Sequence, residues 1–261
     1  MSPPRFYTTQ LQAGLGLLEE TRQLLQVYQP GMTVQQIVDA ALTSGRFPLV
    51  TARRLRNIVA ECFAPRFLRD SQVAGRLKLL VDQLGAAEFN QLLFIYTARA
   101  NLVLADFVRE VYWGRYASGR NDLELEDART FVSNAVREGK TQKPWSETTI
   151  KRISSYLAGC CADYGLLTTT GRKKRSIAAY RILPKVAAYL AYDLKLSGLG
   201  DNQVVSHSDW QLFGMDQADV RDQLKRLSLQ GLLIFQSASD VVHIGWTYKS
   251  MEELINVITE S

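Results

Sequence analysis

Pro144-Trp145-Ser146-Glu147-Thr148-Thr149-Ile150-Lys151-Arg152 opens the stretch whose reading decides the fold. Ser146 suits a helix N-cap, with Pro144 and Trp145 packed in front of it. Ile153, Tyr156, Leu157, Cys160 and Cys161 carry the helix to Tyr164-Gly165-Leu166-Leu167, where the glycine stops it. Thr168-Thr169-Thr170-Gly171, the basic run Arg172-Lys173-Lys174-Arg175 and a β-type segment from Ile177 to Ile182 follow. A helix that starts with hydroxyl residues and cations, ends at Gly-Leu-Leu and gives way to a hairpin with a basic tip has the layout of a winged helix-turn-helix.

Charge suggests a partner for that layout. Between Lys140 and Lys185 stand ten Lys and Arg against only Glu147 and Asp163, a local net charge of +8 in a chain of net +5. The free N–H groups of a helix start favour phosphate, so Ser146, Thr148, Thr149, Lys151 and Arg152 are expected in or near a groove. Lys151 and Arg152 alone would also suit a solvated helix face. Four adjacent cations at a hairpin tip, Arg172, Lys173, Lys174 and Arg175, repel one another and call for a counter-charge, which favours nucleic acid. Arg53 and Arg54, with Arg56, Arg46, Arg66 and Arg69 nearby, form a second basic patch. Either acids elsewhere on the surface pair with it, or it extends the binding surface.

Around this core the first 140 residues read as helix after helix. Leu11, Leu15, Leu18, Leu24 and Leu25 mark a first helix ended by Pro30-Gly31, with Gly14 and Gly16 inside it where a close crossing would demand them. Thr33 to Gln36 is a capping box, and Thr51 caps a helix from Ala52 to about Phe63 that Pro65 ends. Ala86 to Tyr116 is one long helix or two bent near Asn101, and Leu123 to Arg137 is the next. Beyond Pro184, which opens a helix, the chain repeats the theme. Asp216 starts an amphipathic helix with Val220, Leu224 and Leu227 on one face, and Gly231-Leu232-Leu233 lies 66 residues after Gly165-Leu166-Leu167. A possible hairpin at Val241–Trp246 follows. The expected fold is mainly α: an N-terminal helical bundle over 1–140, then winged helix-turn-helix-like units with short β-hairpins over 141–200 and 201–261. The second unit is acidic, with five cations against ten acids over 186–261, and a structural or partner-binding role suits it better than DNA.

Other function classes find little support. Cys160 and Cys161 point about 100° apart on a helix and cannot chelate one metal together. His207 and His243 are far apart, no Walker-type Gly-rich loop leading into Gly-Lys-Ser/Thr exists, and Asp106 and Glu110 beside Arg109 read as an ion pair rather than an acid/base dyad. No catalytic residues, cofactor, metal or small-molecule substrate is expected. Leu92 to Val108 is broken by Arg99, Asn101 and Asp106 and falls short of the roughly 20 apolar residues of a membrane span. The expected location is cytoplasmic.

Several segments together resemble the BrxA family of the bacteriophage exclusion (BREX) systems. They are Phe6-Tyr7-Thr8-Thr9, Arg53-Arg54-Leu55, Leu104-Ala105-Asp106-Phe107-Val108-Arg109-Glu110, Trp145 to Arg152, and Gly165-Leu166-Leu167. The resemblance implies a non-enzymatic, helix-turn-helix protein that binds double-stranded DNA in antiviral defence, beside other BREX proteins. An assembly adaptor for those subunits, or RNA binding in the manner of an antitermination factor, are the alternatives. The aromatic residues are scattered rather than gathered as an RNA-stacking platform.

Overall fold

The computed structural model describes residues 6–170, 174–238 and 241–260. The chain is mainly helical, with two small two-stranded sheets. After a 3-10 turn at Gln10–Ala13, α1 (Leu18–Val27) and α2 (Val34–Thr43) precede α3 (Ala52–Ile58), which runs through a π-helical turn, Val59–Phe63, into α4 (Ala64–Phe67). Next come α5 (Val73–Leu80), α6 (Ala86–Ala100) and α7 (Leu102–Asp106), then a second π turn, Phe107–Tyr112, leading into α8 (Trp113–Ala117), and α9 (Leu125–Arg137). Helix α10 (Glu147–Asp163) leads to β1 (Leu167–Thr170) and β2 (Lys174–Ile177). The chain continues with α11 (Pro184–Leu196), α12 (Asp201–Val205), α13 (Gln217–Leu229), β3 (Leu233–Ala238), β4 (Val241–Trp246) and α14 (Met251–Glu260).

Local signals set most of these boundaries. The Thr33 hydroxyl accepts the Gln36 N–H at 3.3 Å while the Gln36 amide oxygen accepts the Thr33 N–H at 2.8 Å. The Thr51 side chain caps α3 by accepting the Arg54 N–H, Asp216 and Asp219 form another capping box at α13, and Pro184 stands in the first turn of α11, where its missing N–H costs nothing. The helix is interrupted at Asn101, which leaves the helical region (φ −125°, ψ 88°), so α6 and the Leu102–Ala117 segment meet at 114°. Among the described residues no single helix is long and apolar enough to cross a membrane.

Two expectations about helices change. Gly14 and Gly16 are not helical, because the helix begins only at Leu18. The close approach they permit is real but belongs to an irregular segment: a Cβ on Gly16 would stand 2.7 Å from Cβ of Asp163. Pro65 does not end its helix. The π turn before it sends the Ala64 N–H to the Val59 carbonyl, five residues back, so the ladder has already slipped where proline lacks a donor.

The chain divides into two compact units, residues 1–78 with 93–180 and residues 79–92 with 181–261. Their bounds differ from the expected ones at 140/141 and 200/201. Helix α9 packs on α10, and the Tyr7 N–H bonds the Lys140 carbonyl at 2.8 Å, so the expected bundle and basic unit share one body. In the other unit the Gln91 side chain donates to the Arg181 carbonyl at 2.7 Å and accepts the Leu183 N–H at 2.9 Å, which ties 79–92 to 181–261.

Each unit has its own aromatic core. In the first, Phe63 stacks near Phe67 (ring centres 5.3 Å), Phe94 lies 5.3 Å from Tyr164, and Phe107 meets Phe131 at 5.5 Å. In the second, Tyr192 meets Trp246 at 4.9 Å, and its hydroxyl donates to the Leu232 carbonyl at 2.7 Å while accepting the Thr247 N–H at 3.0 Å.

Candidate nucleic-acid interface

The expected helix–glycine–hairpin order occurs twice. Gly165 and Gly231 both take positive φ (81° and 74°), which glycine adopts without a Cβ penalty. After each, the next leucine returns its N–H to a carbonyl in the last helical turn: Leu166 to Cys161 at 2.9 Å, and Leu232 to Leu227 at 3.1 Å. The antiparallel hairpins β1–β2 and β3–β4 follow. In the first, the second strand is Lys174–Ile177 rather than the expected Ile177–Ile182. The Ala178 N–H still bonds the Leu166 carbonyl at 2.9 Å in the same register, and the Ala178 carbonyl turns instead to the Tyr112 hydroxyl, which donates to it at 2.7 Å. The outer edge of β2 is also taken: Leu123 N–H bonds the Arg175 carbonyl at 3.1 Å, and Ile177 N–H bonds Asn121 at 2.9 Å.

Helix α10 starts where Ser146 accepts the Thr149 N–H at 3.3 Å, with the two hydroxyls 3.0 Å apart. Ile150, Ile153, Leu157, Ala158 and both cysteines are buried, whereas Thr148, Lys151, Arg152 and Ser155 face outward and Thr149 is half-buried. Trp145 is half-buried beside Phe6, Tyr7 and Lys143. The one acid at the helix start, Glu147, is held in an ion pair by Arg129 of α9. The far end of α10 is fixed inside the protein. Asp163 accepts the Gly16 N–H at 2.9 Å, and Leu15 packs so tightly on Gly159 that a Cβ there would stand 2.8 Å from its side chain.

The predicted site residues therefore fall into separate groups. Ser146, Thr148, Thr149, Lys151 and Arg152 share the start of α10. Arg53 and Arg54 are exposed at the capped start of α3, but Arg54 lines a depression with Glu20 and Asp163, about 18 Å along the helix axis from Lys151. Arg175 is half-buried on β2, with its charge acting on the buried Cys161 thiol, also toward the far end of α10. Lys174 pairs with Thr170 in the hairpin, and Arg172 and Lys173 lie outside the described residues.

Arg66 leaves the surface patch altogether. It is buried and donates to the carbonyls of Gly14, Leu15 and Gly16 at 2.8, 2.9 and 3.3 Å. Its place in the apolar stripe Val59, Cys62, Phe63, Phe67 was the available sequence signal. Asp106 is similarly committed, accepting the Tyr7 hydroxyl at 2.8 Å with Arg109 at 3.5 Å. Burial pushes the thiol pKa values of Cys62, Cys160 and Cys161 up, that of Cys160 to about 12. His207 stands 3.5 Å from Asp209, and among the described residues no group of three or more His, Cys, Asp or Glu is placed to hold a metal.

In the second unit the equivalent helix start is acidic. Asp216 accepts the N–H groups of Ala218 and Asp219 at 2.8 and 2.9 Å, and Lys225 is paired with Asp222 at 2.9 Å.

A crystal structure of an uncharacterized protein from Magnetospirillum magneticum is similar in fold, with a TM-score of 0.56 and 18% identity, over 74% of this chain and 95% of that one. No curated protein matches. The BrxA family model matches residues 5–193, well over half of the sequence and all of the first helix–glycine–hairpin segment. On that match, the chain belongs to the BrxA family of BREX phage-defence systems.

Proposed function

We propose that this BREX component is a non-catalytic protein that binds double-stranded DNA through a winged-helix-like surface, with the start of α10 entering a groove and the β1–β2 hairpin resting on phosphates. One observation carries the reading. Thr148, Lys151 and Arg152 are exposed together on a capped helix start whose only acid is already paired, while the opposite face of α10 is buried and its far end anchored. The chemistry favours phosphate contact over base reading, so binding should show little sequence preference. In a salt series on duplex DNA, neutralising about five phosphates gives a log–log slope of roughly −4 to −5. Matched RNA and single strands should bind more weakly. A slope near zero, or equal retention of RNA, would overturn the proposal.

An adaptor role is a second reading, and the second unit favours it. Leu229 is 89% exposed and Val241 67% exposed on a unit whose helix start is acidic. Such a surface suits another protein better than a polyanion.

A further inference from the structure

We infer that Arg129 of α9 belongs to the DNA-binding face and that its ion pair with Glu147 masks the acid at the α10 start that would otherwise repel phosphate there. This rests on the duplex-binding reading of α10 and adds a residue from a neighbouring helix that the basic runs of the sequence do not mark.

Glu147 occupies the first turn of α10, where a carboxylate is favourable because it meets the positive end of the helix dipole. The same carboxylate stands one residue from Thr148 and one turn from Lys151, so it opposes any phosphate that approaches them. A helix start cannot satisfy both demands by itself. Arg129 resolves the conflict from outside: its guanidinium is bonded to the Glu147 carboxylate, and it also holds a looser ion pair, at 3.9 Å, with the exposed Glu126 one turn earlier on α9. Both partners remain open to solvent, at 45% and 69% side-chain exposure, so the pair lies on the surface that DNA would meet. An exposed pair contributes little to folding, so its place is better explained by the surface it presents than by stability.

A double-mutant cycle on the full-length protein separates masking from simple charge counting. Arg129→Ala should weaken duplex affinity about fivefold and shallow the salt slope by about 0.9, because it removes a cation and uncovers Glu147. Glu147→Gln should change affinity by less than about twofold in the native background, where the carboxylate is already covered, yet recover about fivefold in the Arg129→Ala background. Arg137→Ala, an equal charge change about 12 Å further along α9, is the control and should leave affinity within about twofold. The inference is overturned if Glu147→Gln gives the same factor in both backgrounds, or if Arg129→Ala and Arg137→Ala weaken binding equally. Those results would leave duplex binding itself intact, whereas failure of the native protein to bind duplex DNA would remove the underlying reading instead.

Discussion

Arg66 donates at 2.8 Å to the carbonyl oxygen of Gly14, fifty-two residues earlier, and thereby fixes a segment that has no helix or strand of its own. Its fork also reaches Leu15 and Gly16, so three carbonyls that secondary structure leaves free are satisfied by one buried cation.

Replacing Arg66 by Ala takes this donor from all three carbonyls, leaving the Gly16 oxygen only the Tyr164 hydroxyl at 3.3 Å, and should cost about 3 kcal/mol. Lys supplies charge without the planar fork, so Arg66→Lys should recover only part of the loss. Urea denaturation midpoints measure both. Duplex affinity of the folded fraction should be unchanged, since Arg66 faces the interior; a stable Arg66→Ala protein with weakened DNA binding would contradict this assignment.

Ser146 and Lys151 should separate stability from affinity. Ser146→Ala removes the cap on Thr149 and should cost about 1 kcal/mol. Lys151→Glu sits on an exposed face and should leave the melting temperature in place, while lowering duplex affinity and shallowing the salt slope by about one unit or more. An unchanged slope in well-folded Lys151→Glu protein would take α10 out of the groove and bring the adaptor reading forward.

The two hairpin units should respond unequally. Replacing Arg172, Lys173, Lys174 and Arg175 with Ala should weaken duplex binding without unfolding the protein. The same change at Arg221, Lys225 and Arg226 should matter less, because Lys225 is already engaged with Asp222, whose carboxyl it holds below the usual range, and Asp216 and Asp219 stand at that helix start. Equal losses in a gel-retardation comparison would remove the distinction.

Alkaline pH should destabilise the fold through its buried thiols. Burial keeps Cys160 protonated, raising its pKa from 9.0 to about 12, and raises Cys62 and Cys161 in the same direction. The unfolded chain releases these protons near the ordinary thiol value while the folded chain retains them, so their contribution is fully present below that value and is lost as pH rises toward about 12. Denaturation midpoints should hold level up to about pH 8.5 and then fall, and thiol reagents should label the native protein only as fast as it opens. Rapid labelling at neutral pH would contradict the burial of all three.

What was legible in the sequence is what depends on neighbours three or four residues away. The caps at Thr33, Thr51, Ser146 and Asp216, the break at Asn101 and the glycine stops at Gly165 and Gly231 are all of this kind. What the sequence hid depends on distant partners. Gly14 and Gly16 lie in an apolar run that reads as helix until Arg66 and Asp163 claim their backbone. Asn121 to Leu123 carries no strand signal, yet it pairs with β2. Arg129 is an ordinary surface arginine in α9 until α10 brings Glu147 beside it. The basic residues look alike in the sequence, and only the fold shows that Arg66 is structural and that Arg54 stands at the opposite end of α10 from Lys151.

The bond between the Gly16 N–H and Asp163 joins positions 147 residues apart. It makes the Gly14–Gly16 segment wait for the last turn of α10 during synthesis. Until Asp163 has left the ribosome, the Gly14–Gly16 segment lacks its seat against that helix and Leu15 has no Gly159 to rest on. Closing so long a loop is entropically costly and slow, so the ordering of this segment belongs late in folding rather than at the start. A growing chain shorter than that point would expose the apolar side chains of Leu11 and Leu15 to chaperones, although both residues are made well before Asp163.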